Sequence, residues 1–175
     1  NEPIEFPFKT KDDDRDMLWK KFDRRLIRQE NLFAKDMRSF FSKQAKRVLS
    51  KFDELYPPEK SKKEVNNNTP NLILDITQET EKLKKALMLR FKLVIEYAAD
   101  KVSEDLDMNI DLDLNNPEVV AFLQKKEILV TGINETTKEQ IRSRVIQSIE
   151  EGWTTAELRD SIKELFEEIS EGRAM

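Results

Sequence analysis

Five oxygen-bearing side chains, Asp107, Asn109, Asp111, Asp113 and Glu118, fall at spacings that could hold a calcium ion. An EF-hand loop sets oxygen ligands at its first, third, fifth and twelfth positions among others, and Asp107 to Glu118 matches much of that pattern. Leu114 also fills the hydrophobic eighth position. However, the sixth position makes a sharp turn that needs Gly, and here it is Leu112, with Pro117 at the eleventh. Met108, Ile110, Leu112 and Leu114 alternate strictly, which suits a short extended segment with one buried edge. That reading accounts for more residues, and no metal site is assigned.

Other chemistry finds little purchase. The chain has no Cys and no His, which removes the common zinc ligands, thiol chemistry and imidazole acid–base work. Carboxylates are numerous, but none stands isolated in apolar sequence that would raise its pKa. No nucleophile elbow or phosphate-binding loop surrounds any Ser or Lys. The expectation is a protein without catalysis and without a cofactor. No apolar run is long enough to span a bilayer.

Charge is distributed unevenly. Residues 15–63 carry 15 Lys/Arg against 7 Asp/Glu, whereas residues 104–175 carry 8 against 17. Such a split serves self-association, partner docking or contact with a polyanion, or simply makes two solvated surfaces. The elements that carry these charges follow from the punctuation. Residues 1–13 read as an extended lead-in, and residues 14–56 as one long basic amphipathic helix stopped by Pro57-Pro58. Trp19, Phe22, Leu26, Phe33, Met37, Phe40, Val48 and Leu55 share one face of it. Arg24, Arg28, Lys35, Arg38 and Lys46 lie broadly opposite and are the candidate DNA contacts. Asp23, Glu30 and Asp36 interleave with them, and no aromatic ring joins that side to stack on bases.

Residues 57–74 read as a flexible linker and 75–175 as a helical domain. Asp75 or Thr77 caps a helix running to about Glu104 or Leu106, whose middle (86–99) is apolar around most of its circumference. Such a helix is expected at the centre of a bundle. Beyond it, three short helices are expected. The first starts at Asn116-Pro117 and ends at Gly132. The second opens on a Thr136–Glu139 capping box and ends at Gly152, and the third opens on a Thr154–Glu157 box. A helix-turn-helix reading fails because the last helix is strongly acidic. The fold class is therefore all-α, with a long N-terminal helical arm packed on an antiparallel helical bundle.

One string of signals carries more than its parts. Asp113-Leu-Asn-Asn-Pro117, Val120, Phe122-Leu123, Thr131-Gly-Ile-Asn-Glu-Thr-Thr137, Ile149-Glu-Glu-Gly152, Thr155-Ala-Glu-Leu158, Ile162, Phe166 and Arg173-Ala174 follow in order. This series resembles the head-morphogenesis domain of tailed bacteriophages, typified by the Mu F-like minor head proteins and also found as an extension of portal proteins. The likeness covers about residues 105–175, and the two upstream helices resemble the family's less regular N-terminal half. Family members continue past the Arg-Ala pair into a segment ending near Ala-Arg-Thr-Glu. The chain, starting at Asn1 and stopping at Met175, is expected to be a fragment of a longer one. The resemblance implies a structural role in procapsid assembly, with portal or capsid proteins as partners. It also implies a place in the virion or procapsid, or in the bacterial host cytoplasm during assembly. Trp19, Phe22, Phe33, Phe40 and Trp153 are the candidate docking anchors.

Overall fold

The computed structural model describes residues 12–57, 65–107, 113 and 115–172, with the side chains of 12–16, 18, 19, 22, 105, 106 and 126–129 outside the description. All regular structure among the described residues is α-helical: α1 (Asp12–Leu55), α2 (Thr69–Ile73), α3 (Ile76–Leu106), α4 (Pro117–Glu151) and α5 (Thr155–Gly172).

Helix α1 is a single run of 44 residues, about 66 Å long at 1.5 Å per residue. Its buried positions, Met37, Phe40, Phe41, Gln44, Val48 and Phe52, fall on one face and form one stripe, which Tyr56 continues just past the helix end. Helix α3 runs antiparallel beside it: Glu79 meets Arg47, while Arg90 meets Asp36 further back along α1. Asp75 caps α3, its Oδ1 accepting from the Gln78 N–H at 3.1 Å. Within the stretch read as a linker, Thr69, Pro70 and Ile73 of α2 are buried, and the Tyr56 hydroxyl lies 2.7 Å from Thr69 Oγ1.

The expectation of three helices after Asn116 is corrected to two. Helix α4 passes through Gly132 and Thr136 without a break. Thr136 and Thr137 do not cap anything; each hydroxyl donates back to the carbonyl four residues earlier, Gly132 O and Ile133 O, at 2.9 Å. The reason is tertiary. Val130, Asn134, Thr137, Ile141, Val145 and Ser148 form one buried stripe across the supposed break, and a bend there would take half of it out of the core. The other two signals form as read. Asn116 Oδ1 accepts from the Glu118 N–H at 2.9 Å, with Pro117 beginning the helix. Gly152 closes α4 in the left-handed region, and the Thr154 box opens α5: Thr154 N–H donates to Glu157 Oε2 at 2.7 Å and Glu157 N–H to Thr154 Oγ1 at 3.2 Å.

Helix α5 buries Leu158, Ser161, Ile162, Leu165, Phe166 and Ile169 against α1 and α4. A polar bridge crosses this core. Gln44 Nε2 donates to Asn134 Oδ1 at 2.9 Å, and Asn134 Nδ2 donates to Thr80 Oγ1 at 3.2 Å, joining α1, α4 and α3 at one level.

Candidate interaction surface

The core occupies only one end of the helices. Among the described side chains, α1 buries nothing before Met37, α3 nothing after Leu87 and α4 nothing before Val130. The other end, the distal half, is built from the remainder of those three helices. Eight of the eleven exposed large apolar side chains lie on it: Met17, Leu26, Ile27, Leu89, Leu93, Val102, Val120 and Phe122. The central helix expected from the apolar stretch 86–99 is therefore covered only in its first part. Leu89 is 63% exposed and Leu93 46%, positions that a bundle centre would hide.

The two halves meet at an aromatic pair, Phe33 on α1 and Phe91 on α3, with ring centroids 5.9 Å apart. Beside it a groove of about 440 Å³ runs between α1 and α3, lined by Phe40, Lys43, Arg47, Lys82, Leu89 and Leu93, among others. Its lining mixes these apolar side chains with the cations Lys43, Arg47, Lys82 and Arg90 and with Asp36. Two ion pairs brace it: Arg90 Nε donates to Asp36 Oδ2 at 2.6 Å, and Arg47 grips Glu79 through two donors at 2.7 and 2.5 Å. Lys82 adds a third contact to Glu79 at 3.0 Å. Burial pushes the Glu79 carboxyl up, but the hydrogen bonds from Arg47 and Lys82, with their charges, outweigh it and hold the group below its ordinary value. Glu157 is also held low, by the backbone and side-chain hydrogen bonds of its capping box with Thr154.

The residues singled out from sequence scatter over this framework. Phe33 is half-buried in the aromatic pair, and Phe40 is buried, packed edge-on against Phe41 at 5.5 Å with the Arg47 guanidinium 5.9 Å from its ring centre. The side chains of Trp19 and Phe22 lie outside the described residues. Trp153 is half-buried on the α4–α5 turn, its indole N–H donating to Glu151 Oε2 at 2.8 Å. Arg24, Arg28, Lys35, Arg38 and Lys46 are all exposed on the face of α1 opposite its core stripe. Of the calcium-like positions, Asn109 and Asp111 lie outside the described residues, as do Met108, Ile110, Leu112 and Leu114. Asp107 ends α3 in the left-handed region at φ 50°. Asp113 Oδ1 accepts from the Asn115 N–H at 2.8 Å, a turn that feeds the Asn116 cap. Among the described residues no group of three or more carboxylates converges on a cation-sized space. No described helix is long and apolar enough to cross a membrane.

Sequence reasoning missed the groove and the open distal half. The groove depends on partners 32 and 54 positions apart, Arg47 with Glu79 and Asp36 with Arg90, which no local pattern pairs. The surplus of exposed apolar residues had one signal, the all-round apolar stretch at 86–99, which tells that a surface wants covering but not what covers it. Comparison with protein-family models, curated proteins and solved structures finds no match.

Proposed function

We propose that this chain is a structural assembly protein working through protein–protein contact, a minor head or portal-associated protein of a phage or prophage acting in procapsid assembly. Portal or capsid proteins would be its partners, and the virion or procapsid its place. The observation that carries the contact reading is the distal half, where apolar side chains are exposed on stretches of three helices that fully bury none of their described side chains. Scattered exposed apolar residues are ordinary, but their concentration at one end, with Leu89 and Leu93 in a groove, is the pattern of an interface. The phage assignment is supported by the C-terminal resemblance, in which the Asn116-Pro117 start, the Gly152 turn and the Thr154 box form real boundaries. The Thr131–Thr137 portion of that series lies inside α4.

The test is a chain carrying Leu89→Gln and Leu93→Gln. Both positions are exposed, so the fold changes by less than about 0.5 kcal/mol. Incorporation into procapsids assembled from phage portal and capsid proteins should fall about tenfold or more, as expected for loss of central interface contacts. A wild-type chain absent from such particles, or a double variant incorporated normally, would overturn the reading. The alternative is nucleic-acid contact through the exposed stripe of α1. It would show as DNA affinity that drops steeply with salt and vanishes when Arg24, Arg28, Lys35, Arg38 and Lys46 are reversed.

A further inference from the structure

We infer that this chain self-associates head to tail, the cationic stripe of α1 on one copy docking on the carboxylate stripe of α5 on the next. Helix α5 carries Glu157, Asp160, Glu164, Glu167, Glu168 and Glu171, all exposed. At 100° per residue they gather on the side opposite Leu158, Ile162, Leu165 and Ile169. Helix α1 presents the opposite sign in the same manner through Arg24, Arg28, Lys35, Arg38 and Lys46. The α5 stripe, about 21 Å from Glu157 to Glu171, fits within the length of the α1 stripe, about 33 Å from Arg24 to Lys46, at 1.5 Å per residue.

Within one molecule these stripes do not meet. Where α5 packs on α1, the ion pair is reversed in sign: Arg159 of α5 donates to Asp53 of α1 at 2.6 and 3.0 Å. The ion pairs that α5 carboxylates make nearby are long, Arg144 to Glu168 at 3.7 Å, Lys163 to Glu167 at 3.8 Å and Arg159 to Asp160 at 3.9 Å. The surplus cations of α1 and the surplus carboxylates of α5 thus both face solvent. A second copy satisfies both surfaces with one kind of contact. A polyanion would engage only α1 and leave the α5 carboxylates facing solvent. Because different patches meet, the contact is heterologous, and each added copy offers a new stripe at the end of a chain or ring.

This deepens the assembly reading, on which it rests for the premise that the protein works by protein contacts. The experiment uses two variants with changes at exposed positions outside the capping box. One carries Arg28→Glu, Lys35→Glu and Arg38→Glu, the other Glu164→Lys, Glu167→Lys and Glu171→Lys, and circular dichroism melts confirm that both fold. Sedimentation velocity is run in 0.1 M and 1 M salt, where the Debye length is about 10 Å and about 3 Å. The wild-type chain should associate in the lower salt and dissociate in the higher. Each variant alone should associate at least tenfold more weakly, and an equimolar mixture of the two should recover the loss, since each reversed stripe finds a complementary one. A wild-type chain monomeric in low salt would overturn the pairing, as would association insensitive to either reversal or a mixture that stays apart. A monomer that binds duplex DNA through α1 would replace it with polyanion contact. In each case the assembly reading still stands or falls separately with the Leu89 and Leu93 substitutions.

Discussion

Glu79 is the residue on which the junction of α1 and α3 turns. It is buried, lies in the first turn of α3 where a negative charge is favoured, and receives Arg47 and Lys82. A carboxyl whose folded pKa lies below its unfolded value contributes stability that is fully present above the unfolded value and is lost as pH falls through the folded one. Thermal stability should therefore decline as the solution is acidified below the ordinary glutamate value of 4.5, through the protonation of Glu79. Glu79→Gln should lower stability at neutral pH and flatten that part of the acid profile. Circular dichroism melts across the pH series check this, and an unchanged profile in the variant would place the acid sensitivity elsewhere. None of this was legible from sequence. Glu79 reads locally as a helix-start acid, and its partner on α1 is brought to it only by the antiparallel packing. Gln44 is a similar case: a polar residue among the core positions of α1, it makes sense only with Asn134, 90 positions away.

At the scale of elements, most boundaries could be read, but α2 and the continuity of α4 could not, and two glycines show why for α4. Gly152 adopts φ 69°, the left-handed region that L side chains resist, so its role as a helix end is local and visible in sequence. Gly132 has no positive φ, and a Cβ added to it meets nothing within 4 Å, so nothing in its own geometry demands glycine. It looks like a stop only until the buried stripe from Val130 to Ser148 is seen to run past it. Opposite outcomes follow for the same substitution. Gly132→Ala should stabilise the protein by about 0.5–1 kcal/mol, the ordinary gain of alanine inside a helix. Gly152→Ala should destabilise it by about 1–2 kcal/mol, the penalty of the left-handed region. Chemical denaturation of the two variants distinguishes them, and a destabilising Gly132→Ala would argue that α4 is broken there. The long α1 and the Asp75 start of α3 were legible for the same reason as Gly152. Caps, prolines and unbroken apolar periodicity act within a few residues of where they stand.

At the scale of the whole molecule, charge was legible and coverage was not. The basic first third and acidic last third are counts, and folding gathers them into the stripes of α1 and α5. Which apolar residues end up covered depends instead on where neighbouring helices reach. The apolar stretch of α3 looks like a bundle centre by composition, yet among the described side chains its full burial ends at Leu87. The result is a molecule with a packed half and a half whose apolar side chains await contact, the structural basis of the assembly role proposed for it. Segments with few buried contacts open locally at low free-energy cost, whereas core segments open only near global unfolding. Amide hydrogen exchange on the dilute, isolated chain tests this division directly. Exchange should be slow in α1 from Met37 onward, in α4 from Val130 onward and in α5. It should be markedly faster in α1 before Phe33, in α3 beyond Phe91 and in α4 before Val130. Uniform protection along α1, α3 and α4 would contradict this division, because a distal half as well protected as the core would not be short of buried contacts.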